Sequence, residues 1–240
     1  MNTVTIIMAI VAGTATVLGA YCAKMLTEWA KKNIAPLVAL AAGIILGTAV
    51  LELLPEAIEL SPTWSYWLLG GFLLFFILEK FVVAHACTAH KKQKHEHTSA
   101  KTAVLGIGLH SLVDGLLIGL GFEVSATVGI IATLAVVIHE FPEGIFSYTL
   151  LAHSGVGEKR ALYYSWLIAL ATPIGAIVTL LLVNHWSGST IGSLLALTAG
   201  NFFYIATVDL IPETNKASAL SSILLVIVGI MSVYILKTVL

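Results

Sequence analysis

Two short motifs place ionisable side chains where apolar residues are expected. His110-Ser111-Leu112-Val113-Asp114-Gly115 and His139-Glu140-Phe141-Pro142-Glu143-Gly144 each lie in the middle of a long apolar stretch. Spacing of i, i+4 stacks two side chains on one helical face, so His110 and Asp114 point one way, as do His139 and Glu143. If the two faces oppose, two imidazoles and two carboxylates converge. That set suits a four-coordinate Zn2+ and also accepts Fe2+, Mn2+ or Cd2+. Carboxylates in place of thiolates make the site harder and less tight, which suits an ion that must leave again. Neither stretch contains a Lys or Arg within a turn of Asp114, Glu140 or Glu143, so a buried salt-bridge network does not account for them. Pro142 cannot donate to the carbonyl of Ile138, so a bend and a free carbonyl are expected there.

The elements that carry these motifs are membrane spans. Of the 240 residues, 58% are apolar and only 10% are charged, against about 25% charged in a soluble domain. A net charge of -1 leaves no basic field for nucleic acid. Cys22 and Cys87 form no CxxC pair and no disulfide framework. A helix crosses the hydrocarbon core in about 20 residues, twice the length of a barrel strand. Windows of that length run over Val4–Ala23, Ile34–Leu54, Trp64–Ala84, Ala103–Phe122, Thr127–Leu151, Ala161–Val183, Ile191–Ile211 and Ala219–Leu240. The expectation is an all-α integral membrane protein of eight transmembrane helices, with 1–240 a single transmembrane domain. No basic segment precedes the first window, so no cleaved signal is expected. All Lys and Arg residues except Lys237 fall on the side of the connections between spans 1 and 2, 3 and 4, 5 and 6, and 7 and 8. That side is therefore expected to be cytoplasmic, with both termini extracytoplasmic.

An internal repeat gives the arrangement a direction. Ala42-Gly43 leads to Glu52-Leu53-Leu54-Pro55-Glu56, and 157 residues later Ala199-Gly200 leads to Asp209-Leu210-Ile211-Pro212-Glu213. Spans 2 and 7 run in opposite directions, as do spans 4 and 5, so the repeats are inverted. Such repeats place two related halves around one central site. The repeat sets Glu52, Glu56 and Glu59 at the outer end of span 2, and Asp209 and Glu213 at the inner end of span 7. Carboxylates at both mouths concentrate divalent cations; solvation of helix ends is the plainer account of them. His153 lies at the inner end of span 5, where it joins the exit or has a structural role. The segment 85–101 is a cytoplasmic loop carrying His85, His90, His95 and His97, suited to weak metal capture or serving as a basic linker. Gly43 and Gly47, like Gly115 and Gly119, permit close helix contact within the bundle. Val113, Ile118, Val136 and Phe146 are expected to seal the central site alternately from either side.

The sequence resembles the ZIP (ZRT/IRT-like) family of divalent-metal transporters. The resemblance rests on HSLVDG (His110–Gly115), HEFPEG (His139–Gly144), AAGIILGTAVLELLPEA (Ala41–Ala57), ATPIGA (Ala171–Ala176) and VDLIPE (Val208–Glu213), and covers nearly the whole chain. It implies passage of Zn2+ or a related ion into the cytosol between helices 4 and 5. It assigns His110, Asp114, His139 and Glu143 to the primary metal site. A second metal beside it would involve Ser111, Glu140, the shared Asp114 and Glu143, and a helix-6 carboxylate. Here Ser111 stands where an Asn is frequent, and Thr172 stands where a Glu would precede Pro173. Glu143-Gly144 replaces the His-Glu of many relatives, which moves the expected preference slightly toward Mn2+ or Fe2+. The resemblance also implies a homodimer. The metal is cargo and no catalytic cofactor is expected; the lipid bilayer is the other partner, in the plasma membrane if the source is prokaryotic. Two rivals fit less well. An intramembrane metalloprotease of HExxH type lacks its second histidine, and Pro142 interrupts its catalytic helix. A proton or monovalent-cation antiporter leaves two histidines facing two carboxylates unexplained.

Overall fold

The computed structural model describes residues 2–88, 100–214 and 219–239. Among these there is no strand; the chain is a bundle of helices. We label them α1 (Asn2–Met25), α2 (Thr27–Leu60), α3 (Trp64–Thr88), α4 (Ala100–Val124), α5 (Ala126–Leu151), α6 (Glu158–Leu182), α7 (Gly188–Glu213) and α8 (Ala219–Val239). Seven of them, all but α3, are long and apolar enough to cross a membrane; in α3 the described apolar stretch is Trp64–Leu78. With this composition, the protein is an integral multi-pass membrane protein.

The helices overrun the apolar windows because a helix, once nucleated, propagates past the hydrocarbon boundary wherever its polar residues are solvated. At the start of α2, Glu28 and Lys31 pair at 3.0 Å, both largely exposed. Two of the described connections end in a side-chain cap. Ser125 accepts the Val128 N–H at the start of α5, and Ser187 accepts that of Thr190 at the start of α7. Between α5 and α6 the chain turns through Gly155 and Gly157, whose φ of 85° and 80° suits residues without a Cβ. The basic segment 89–99, with His90, His95 and His97, and Lys216 lie outside the described residues.

Two helices change pitch at matching places. In α2, Ala49–Leu53 form a π-helical turn just before Pro55; in α7, Ile205–Leu210 do so just before Pro212. A proline withholds one N–H from the helical ladder, and a wider turn re-registers the carbonyls around the gap. By contrast α5 runs on as helix through Pro142.

Packing is inside-out relative to a soluble protein. The interior is rich in small residues, such as Ala9, Ala12, Ala39, Ala42, Ala132 and Ala199, all fully buried. The outward faces carry large apolar side chains such as Leu18, Leu170, Ile174 and Leu220, which lipid tails accept at no cost. At the centre, α1 packs along α5 while α6 packs along α4; at the flanks, α2 packs along α8 while α3 packs along α7. The central crossings need glycine. A Cβ on Gly144 of α5 would meet the Thr16 backbone of α1, and one on Gly115 of α4 would meet the Thr172 backbone of α6. Gly43, Gly47 and Gly119 likewise contact α8 or α6, so both GxxxG pairs serve packing inside the bundle.

Candidate metal centre

Because Gly115 and Gly144 let α6 and α1 press from outside, α4 and α5 turn their ionisable faces toward each other. His110, Asp114, His139 and Glu143 each bring one donor atom within 4.8 Å of all the others. His110 Nε2 lies 3.3 Å from Asp114 Oδ2 and 3.1 Å from Glu143 Oε2, and His139 Nε2 lies 3.2 Å from Asp114 Oδ2. Asp114 is fully buried, His139 is 4% exposed, and His110 and Glu143 are partly buried.

The hydrogen bonds orient this set. His139 Nδ1 sits 2.9 Å from the Ala135 carbonyl, which can only accept, so Nδ1 carries the proton. In the neutral ring Nε2 is then a bare lone pair facing a carboxylate oxygen, and only a cation or a shared proton reconciles the two. The same back-side hydrogen bond holds histidines in metal sites. Ser111 Oγ donates to Glu143 Oε1 at 3.2 Å, leaving Oε2 for the cluster. Asp114 Oδ1 and His110 Nδ1 are buried without hydrogen-bond partners, a cost accepted where a ligand completes the coordination.

Glu140 stands apart from the four. It is fully buried on α5, accepts a hydrogen bond from Thr172 Oγ1 of α6 at 2.7 Å, and leaves Oε2 without a partner. Thr172, which the resemblance aligned with a helix-6 carboxylate, therefore meets Glu140 as a hydroxyl donor. Ser111 touches the cluster through Glu143.

Two aromatic residues that sequence reasoning missed wall the site. The ring of Phe75 on α3 stands edge-on to His110 at 6.5 Å, and Phe202 on α7 stands edge-on to His139 at 5.8 Å. Their places in spans 3 and 7 carried no signal, since any apolar residue fits the pattern. Of the expected sealing residues, Val136 and Ile118 are fully buried and Val113 is partly so. Phe146 is a correction: it is 54% exposed on the outer face, because its position on α5 is turned away from α4. An apolar cavity of about 260 Å³ begins at Val113 and runs between α4, α6 and α7 as far as Leu182 and Trp186.

The expected mouth residues fall at helix ends, in different settings. Glu52 is 2% exposed and pairs with Lys237 of α8 at 3.2 Å. Glu56 is partly buried and Glu59 exposed. Asp209 and Glu213 at the end of α7 are exposed, and both have interaction partners. His153 is exposed, its Nδ1 donating to the Thr149 carbonyl at 2.7 Å. None of these belongs to the four-donor cluster.

Comparison with known proteins follows the same lines. A family model described as ZIP Zinc transporter matches residues 2–104 and 97–237. The metal cation symporter ZIP14 of Xenopus tropicalis is 26% identical over 75% of this chain and 54% of its own length. ZIP14 of Mus musculus is 35% identical over 50% of this chain and 24% of its own length. The zinc transporter zipt-7.1 of Caenorhabditis briggsae is 38% identical over 44% of this chain and 27% of its own length. The chain thus spans about half or less of the curated relatives it matches.

Proposed function

The chain belongs to the ZIP zinc transporter family, and from that premise we propose that it carries divalent metal cations, Zn2+ foremost, into the cytosol through the site between α4 and α5. The observation that carries the reading is the convergence of His110, Asp114, His139 and Glu143 in a buried position, from two motifs that contain no Lys or Arg. Two histidines and two carboxylates offer nitrogen and oxygen donors in the number that Zn2+ takes. The missing thiolates keep the ion exchangeable. At equal concentrations the donor set still favours Zn2+ over Fe2+ and Mn2+.

In this reading α3 is the eighth span, both termini are extracytoplasmic, and the two halves are inverted repeats. The helix contacts support the last point. Gly43 meets Val226 while Gly200 meets Leu68, so α2 on α8 and α7 on α3 cross through matching glycines. A metal held near the midplane is then reached from either side by rocking of one set of helices against the other. Glu140, whose hydrogen-bond partner is the Thr172 hydroxyl, supports the primary site by relaying protons or ordering water rather than holding a second tightly bound ion. A homodimer is part of the proposal, tested by the mass of the purified protein in detergent.

The experiment is metal uptake by proteoliposomes containing the full chain, with Zn2+, Cd2+, Fe2+ and Mn2+ in competition. Saturable Zn2+ uptake that outcompetes Mn2+ is expected. Failure to accumulate any divalent metal, with the protein inserted and folded, sinks the reading.

A further inference from the structure

Lys237 stands on a buried carboxylate that sequence reasoning had left free for incoming cations. Glu52, 2% exposed, lies in the π-helical turn of α2. Pro55, three residues on, has no N–H, so the Leu51 carbonyl loses its α-helical donor. Lys237, near the end of α8, fills that gap: its Nζ donates to the Leu51 carbonyl at 2.6 Å and lies 3.2 Å from Glu52 Oε2. The pairing with Glu52 is a Coulomb contact off the hydrogen-bond axis, since Oε2 receives no hydrogen bond. Glu56 follows one turn later, within electrostatic reach of Glu52, Glu59 and Lys237.

A freed carbonyl oxygen beside carboxylate oxygens is a donor set for a hard cation. Here its occupant is an ammonium on a flexible four-carbon stem, half open to the surroundings with its side chain 38% exposed. We propose that Lys237 is a tethered competitor for the cation position formed by the Leu51 carbonyl and the Glu52 carboxylate. A divalent cation reaches Glu52 only by displacing the ammonium, which returns when the ion moves on. The position is thereby never left as an uncompensated buried charge, and weakly held cations do not block it. The proposal rests on the transport reading above, with this end of α2 facing the side from which metal arrives. The plainer role of Lys237 is to pin α8 to α2, and the test separates the two.

Initial uptake rates are measured in proteoliposomes over a range of external Zn2+ and Mn2+ concentrations, with Cys22 and Cys87 replaced. Lys237→Gln is expected to lower the half-saturating concentration by roughly three- to tenfold, as removal of one unit charge that stands about 6–12 Å from a divalent ion in water, once displaced by it, implies. The maximal rate per inserted protein stays the same. Lys237→Cys behaves alike, and its aminoethylation with a methanethiosulfonate reagent restores the original value on the same sample. Glu52→Gln added to Lys237→Gln removes the gain. Unchanged or raised half-saturation in both lysine variants, with reduced thermal stability, overturns the proposal in favour of a structural pin. If Lys237→Gln does not insert, Lys237→Cys before and after modification decides alone. If the parent protein accumulates no metal, the transport reading fails. Equilibrium binding of Mn2+ in detergent by the same variants then decides the lysine separately: tighter binding without the ammonium upholds its competitor role, and equal binding overturns it.

Discussion

His139 is the residue on which the site turns. Its Nδ1 proton is committed to the Ala135 carbonyl, so in the neutral ring Nε2 faces Asp114 as a lone pair. Glu143 is similarly prepared, with one oxygen held by Ser111 and the other facing His110. On the proposed reading, replacing one of the four donors removes a ligand outright. His110→Ala, Asp114→Ala, His139→Ala and Glu143→Ala are each expected to reduce uptake by more than the roughly 10- to 100-fold that loss of a supporting partner costs a metal site. Quantitative uptake at matched membrane abundance checks this, and wild-type rates in the His139 and Glu143 variants would refute the assignment. Glu140 differs because its partner is the Thr172 hydroxyl and it stands outside the cluster. Glu140→Gln is expected to retain measurable transport while changing its pH dependence or metal preference. Two tightly bound ions per chain, reduced to one by that substitution, would contradict the supporting role.

Between elements, the controlling contacts are backbone against backbone. Thr16 and Thr172 approach α5 and α4 at glycines, and that approach sets how near the two ionisable faces come. Gly144→Val is therefore expected to destabilise the protein by about 1–3 kcal/mol, the usual cost of forcing extra atoms into a filled contact. Gly70→Ala is the control, since a Cβ there meets nothing within 4 Å. Thermal unfolding in detergent measures both, and equal midpoints for the two variants would show that the crossing has slack. The π-helical turns before Pro55 and Pro212 lie at corresponding places in α2 and α7. Each sits beside a carboxylate, Glu52 or Asp209, so the pitch change and the charged ends are one feature of the chain.

At the scale of the whole molecule, the proposed transport requires the buried site to be reached from both ends of the bundle. Rocking predicts anticorrelated accessibility. With Cys22 and Cys87 replaced, a cysteine near Glu56 should label fastest when one near Asp209 labels slowest, and Zn2+ should shift both rates. Rapid labelling at both ends at once, indifferent to Zn2+, would mean channel-like passage. The basic segment carries no span-packing residue in the sequence reading, so deleting Thr88–Ser99 is expected to preserve transport. Uptake lost at normal abundance would make its histidines part of the exit path.

Much of this was legible in the chain alone, for a physical reason. An apolar solvent demands long runs of apolar residues, and ionisable groups inside them stand out because their burial is costly. That is why eight windows of spanning length could be marked, seven of which the described residues carry as helices long and apolar enough to cross a membrane, and why the i, i+4 motifs marked His110, Asp114, His139 and Glu143 as one set. Tertiary structure decided what apolar patterning leaves degenerate. Phe75 and Phe202 wall the site and Phe146 does not, because every face of a membrane helix accepts a large apolar side chain. The partner of Glu140 and the orientation of Glu143 depend on how closely α6 and α4 approach. Lys237 reads in sequence as a solitary charge near the end of the last span. Only the packing of α8 on α2 brings its ammonium to the Leu51 carbonyl, 186 residues away along the chain.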